Sequence, residues 1–113
     1  MQKEILSKEA LQRLEAIHKL SQEYNRKLKK DHRTRLIELM KEHAGEIDEL
    51  FRQDNPHYLT ETGDLIILCM ELLHENNQSI DEIMEKCFQR YENKLPILIG
   101  ELKESRLGRL GYG

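Results

Sequence analysis

At 113 residues the chain is one small domain with room for a single, modest core. It is 38% hydrophobic and 35% charged with no Trp, which suits a helical protein whose narrow apolar stripes lie under a charged surface and whose core is shared with a second copy. The net charge of −3 argues against the basic footprint of a nucleic-acid binder, and no apolar run reaches the length of a bilayer span.

In chain order the periodicity predicts four helices and almost no strand. The first spans residues 3–29, with Leu11, Leu14, Ser21, Tyr24 and Leu28 at helical spacing and Ser7 as an internal cap signal. The cationic run from Arg26 to Arg35 reads as a solvated helix junction. Asp31 is placed to cap a second helix over 32–53, whose apolar face is Leu36, Leu39, Met40, Ala44, Ile47, Leu50 and Phe51. Asp54-Asn55-Pro56 stops it, and Pro56 is suited to open a third helix running to Glu75 that is apolar nearly all round and therefore expected to be buried. Asn76-Asn77-Gln78 forms the next turn. Ser79 with Glu82 reads as a capping box for a fourth helix bearing Ile80, Ile83, Met84, Cys87, Phe88, Tyr91 and Leu95 on one face. Pro96 is expected to interrupt that helix before a short turn over 97–102, with a frayed tail at 108–113. The organisation that follows is an N-terminal helix over 1–30, a helical core over 31–104 and a flexible tail over 105–113. Cys69 and Cys87 fall on apolar faces and read as small core residues of a reduced, cytoplasmic protein, and no segment reads as a signal peptide.

The informative residues are acidic. Glu61 and Asp64 lie three apart within the apolar third helix, so both carboxylates share one face where burial demands a partner. Glu42, Glu46 and Glu49 at i, i+4 and i+7 sit on the preceding helix, which can fold back on the third. Carboxylates facing one another in this way repel unless a divalent cation lies between them. His43 sits among Leu36, Leu39, Met40 and Ile47 on the inward side, and is either a satisfied core residue or a ligand; as a ligand it tilts preference from Mg²⁺ toward Mn²⁺. Lys86, Arg90 and Lys94 at i, i+4 and i+8 form a cationic stripe, either a wet flank or a phosphate-binding edge.

The order from Leu36 to Lys94 resembles the MazG-like nucleoside triphosphate pyrophosphohydrolases, the all-α pyrophosphatase superfamily. The likeness rests on the acidic second helix, on Glu61-Thr62-Gly63-Asp64-Leu65-Ile66-Ile67, which is similar to the family's E-x-x-D helix, and on Ser79–Lys86 with Arg90–Lys94, which look like its last core helix. It departs from the family at His43, which stands where the first liganding Glu of the upstream E-x-x-E pair belongs.

The resemblance implies antiparallel helical hairpins in a four-helix bundle completed by dimerisation. It also implies hydrolysis of a nucleoside triphosphate to monophosphate and pyrophosphate with Mg²⁺ or Mn²⁺. Glu46, Glu61 and Asp64 are then metal ligands, Glu42 or His43 the fourth ligand or the base, and Lys86, Arg90 and Lys94 the phosphate contacts. The alternative is a non-catalytic helical protein that keeps the MazG scaffold with a degenerate metal site. A coiled-coil adaptor is disfavoured because the heptads are not sustained.

Overall fold

A computed structural model describes the backbone of residues 7–111 and the side chains of residues 7–103. The described residues are all-helical, in the order α1 (Lys8–Lys27), α2 (His32–Arg52), α3 (Tyr58–Glu75) and α4 (Ile80–Gly111). They divide between Asn77 and Gln78 into two compact units, the first holding α1, α2 and α3 and the second α4.

Local chemistry sets most boundaries. Ser7 caps α1 by accepting from the Ala10 N–H at 3.1 Å. Helices α1 and α2 end on left-handed residues, Lys29 (φ 58°) and Asp54 (φ 54°). At the first, Lys30 N–H reaches the Asn25 carbonyl and Lys29 N–H that of Arg26; at the second, Asn55 N–H reaches Leu50 and Asp54 N–H reaches Phe51. Both are Schellman closures, which satisfy carbonyls the helix leaves free. Asn77 (φ 52°) ends α3 in the same left-handed region, one that suits Asn and Asp better than Lys29. The turn into α3 is an Asx-turn in which Asn55 Oδ1 accepts from His57 N–H at 3.0 Å, so α3 begins two residues after Pro56.

Asp31 caps α2 as expected, accepting from Thr34 N–H at 3.0 Å and from the Thr34 hydroxyl at 2.7 Å. The hydroxyl first and the N–H second hold its carboxyl below the usual carboxylate range. Because the folded-state pKa is depressed, the cap's contribution is complete above the unfolded carboxyl value of about 3.9 and is lost as pH falls through the folded one. Asp31→Ala should therefore lower the melting temperature by a few degrees at pH 7, with the gap from wild type closing below about pH 4.

Helices α2 and α3 form a hairpin. Phe51 meets Tyr58 edge-to-face at 5.4 Å beside the turn, His43 meets Glu61 further along, and His32 meets Glu75 at the far end, an antiparallel order. Leu36 is fully buried and Leu68 nearly so, while Leu39, Met40, Ile47 and Leu50 are half-buried.

Three expectations change. The inward stripe of α1 is not Leu11, Tyr24 and Leu28, which are exposed, but Ala10, Leu14, His18, Ser21 and Asn25, with His18 and Asn25 buried. Rotation toward this polar stripe follows from what α3 offers it, Glu71 and Glu75, rather than from hydrophobicity. Helix α3 is not buried all round: Leu59 and Ile66 are exposed, and its buried residues are Leu68 and Glu71. Helix α4 continues through Pro96 and past Gly108 to Gly111. Pro96 and Glu92 are both exposed, so the carbonyl that the proline leaves without a donor faces water, which lessens the cost of a mid-helix proline.

Candidate metal centre

The inward face of α2 repeats as Leu36, Met40, His43, Ile47 and Leu50, so His43 points at α3 and Glu46, one turn on, sits at the edge of the same face. Glu61 lies in the first turn of α3, where free backbone N–H groups favour a carboxylate. The hairpin thus brings the three together. His43 Nδ1 is 2.5 Å from Glu61 Oε2 and 3.7 Å from Glu46 Oε2, and one donor atom from each of the three residues lies within 4.8 Å of the others.

Charge is unevenly shared. The hydrogen bond from His43, then one from Glu46, holds the Glu61 carboxyl below its ordinary range, against the opposing effect of its partial burial. Glu46 moves the other way, raised chiefly by its hydrogen bond to Glu61 and by that residue's charge. The two carboxyls are thus shifted in opposite directions, Glu61 toward its ionised form and Glu46 toward its protonated one. The contact with Glu61 engages His43 Nδ1 and leaves Nε2 as the ring's other nitrogen.

The other expected residues distribute differently. Asp64 is half-buried one turn beyond Glu61 on α3, with no hydrogen bond or ion pair among the described residues. Glu42 is exposed and turns toward Arg35 at 4.0 Å, and Glu49 is exposed, so of the acidic face on α2 only Glu46 reaches Glu61. The reason is angular: His43 occupies the inward position, and residues one before and six after it point away from α3. Lys86, Arg90 and Lys94 are exposed on α4, in the second unit. His57 was not anticipated. Its Nε2 is 3.3 Å from Glu61 Oε1, and the i, i+4 spacing of His57 and Glu61 was the available signal.

The donor set fits a divalent cation. Two carboxylates and one imidazole suit Mn²⁺ better than Mg²⁺, which prefers oxygen ligands throughout. Gly45 and Gly63 adjoin the cluster in sequence; a methyl group at either would meet nothing within 4 Å, so neither is required by close packing. No helix among the described residues is long and apolar enough to cross a membrane. No protein family, curated protein or solved structure matches the chain.

Proposed function

We propose that the chain is a MazG-like nucleoside triphosphate pyrophosphohydrolase, cutting between the α- and β-phosphates to give a nucleoside monophosphate and pyrophosphate. The observation that carries this reading is the His43–Glu46–Glu61 cluster across the α2–α3 hairpin, with Asp64 one turn further along α3. Glu46, Glu61 and Asp64 are the residues to hold Mg²⁺ or Mn²⁺. Such an ion supplies charge neutralisation for the polyphosphate and acidifies bound water. In the hydrolysis a water oxygen attacks phosphorus, the bond to the bridging oxygen breaks, and its electron pair leaves with the departing phosphate group. The water proton passes to Nε2 of His43, whose other nitrogen is fixed on Glu61. The phosphate contacts that the family resemblance implies are Lys86, Arg90 and Lys94, a stripe on α4.

The same chain is proposed to act as a homodimer. Leu20, Tyr24, Ile37 and Ile66 are exposed on α1, α2 and α3, and α4 cannot by itself cover its stripe of Ile83, Met84, Cys87 and Phe88. Sedimentation should give twice the mass of one chain at micromolar concentration; a stable monomer would count against it.

His43 offers a test of metal choice. His43→Glu adds a carboxylate beside Glu46, Glu61 and Asp64, so the affinity for Mg²⁺ relative to Mn²⁺ should rise in a calorimetric titration. A variant that is destabilised with no gain in Mg²⁺ affinity would instead mean that His43 serves packing. A second reading is favoured by one feature: Glu61 is already satisfied by His43 and His57. In that reading the chain is a non-catalytic helical protein of MazG descent that works by association.

A further inference from the structure

At the opposite end of the α2–α3 hairpin, where α1 packs, lies a second polar cluster that the proposed hydrolysis does not use. His32 is eleven residues before His43, or about 16 Å along α2 at the helical rise. The cluster is deeply placed: His18 is 5% exposed, Glu71 4% and Asn25 3%, with His32 and Glu75 mostly covered. A small protein with only two buried apolar side chains among its described residues spends its most protected volume on these groups. Burying ionisable side chains costs heavily unless each polar atom is met.

Three of those atoms are not met. Among the described residues His18 Nδ1, His32 Nε2 and Glu71 Oε1 are buried and form no hydrogen bond. Their residues come from three different helices, and one donor atom from each lies within 4.8 Å of the others. His18 Nδ1 stands 3.6 Å from Glu71 Oε1, too far for a hydrogen bond but close to the roughly 3.3 Å that separates two donors bound tetrahedrally at 2.0–2.1 Å. Their outer faces are supported. His18 Nε2 faces Glu75 Oε1 at 3.6 Å, and that oxygen accepts from Gln22 Nε2 at 2.8 Å. His32 Nδ1 lies 2.8 Å from the Asn25 side-chain amide, which after a half-turn presents its oxygen to an Nδ1–H. The amide behind His32 is the kind of support that orients a metal-bound histidine, and the Glu75 carboxylate lies near His18 without a hydrogen bond to it.

We infer that His18, Glu71 and His32 bind a divalent transition-metal ion of the Zn²⁺ type, tying α1 to the α2–α3 hairpin. Two imidazoles and one carboxylate select such an ion over Mg²⁺ or Ca²⁺. Glu75, whose Oε1 lies 3.6 Å from His18 Nε2 and 3.2 Å from His32 Nε2, is a positioning residue that acts on both rings through its charge. The inference does not rest on the hydrolase reading, since it shares no residue with the His43 cluster.

The test uses the full chain stripped with chelator and titrated with Zn²⁺ and, for its colour, Co²⁺. In the Glu61→Gln chain, where the His43 cluster is disabled, the expected result is a Zn²⁺-dependent rise in melting temperature with one bound equivalent and a four-coordinate Co²⁺ spectrum; Mg²⁺ should not reproduce them there. Added to that chain, Glu71→Gln and His32→Gln should each remove that equivalent and its spectrum. Glu75→Gln should weaken Zn²⁺ about 10–100-fold. His32 is the least buried ligand, so His32→Gln decides the matter if Glu71→Gln does not fold. Absence of any Zn²⁺ shift in the Glu61→Gln chain, or undiminished Zn²⁺ binding once His32→Gln is added to it, overturns the inference and leaves the cluster as a buried histidine–carboxylate ion pair.

Discussion

Glu61→Gln should reduce metal-dependent release of pyrophosphate from a nucleoside triphosphate by about 100-fold or more. Loss of a residue that merely orients a ligand already costs about 10–100-fold, and Glu61 is proposed as a ligand itself. It also contacts the His43 ring at Nδ1, and its charge raises the Glu46 carboxyl, so one substitution disturbs both neighbours as well. The amide can still hydrogen-bond to His43 but carries no charge. Glu49→Gln, on the exposed side of α2, is the matched control and should leave release unchanged. Equal loss in both variants would point to a general electrostatic effect rather than a site.

Leu36→Ala should have the largest effect on stability, about 2–5 kcal/mol measured as a fall in the urea midpoint. Leu36 is the one fully buried large side chain among the described residues, on the face of α2 directed at its neighbours. A domain of this size has roughly 5–15 kcal/mol in total, so the variant approaches the edge of folding. Leu59→Ala, on the exposed start of α3, should cost far less. If the two variants unfold at the same urea concentration, Leu36 is not the centre of the core.

Where the sequence was readable, a local mechanism was at work. Asp31 and Ser7 cap their helices by side-chain bonds three residues long, and Asn55-Pro56 turns by a bond two residues long, so each can be read from its neighbours. The inward position of His43 followed from the 3.6-residue period of α2, whereas Glu42 and Glu49, expected to face α3, are exposed and turn away from it. The errors arose where a distant partner decided. Apolar spacing favoured Leu11, Tyr24 and Leu28 as the inner face of α1, yet His18 and Asn25 turn inward because Glu71, Glu75 and His32 lie opposite. Those partners are 53 and 57 residues from His18 in two of three cases, beyond any local pattern. Pro96 was misjudged for a different reason: its penalty depends on solvent access to the carbonyl it leaves free, and periodicity does not report that.

The candidate site was half legible. Glu61 stood out as a carboxylate inside an apolar helix, and it is indeed held by close partners. Those partners are histidines, and His57 in particular lies in a turn that the hydrophobic pattern passes over.

The most direct measurement of the central claim takes the metal-stripped wild-type chain and adds millimolar Mg²⁺ or Mn²⁺ with each common nucleoside triphosphate. Melting temperature and released pyrophosphate are followed together. A metal site present only in the folded state raises the melting temperature, and a pyrophosphohydrolase yields monophosphate and pyrophosphate in equal amounts. Both results are expected, with Mn²⁺ the more effective ion. A chain whose melting temperature ignores both ions and which releases no pyrophosphate from any of the triphosphates would contradict the enzyme reading.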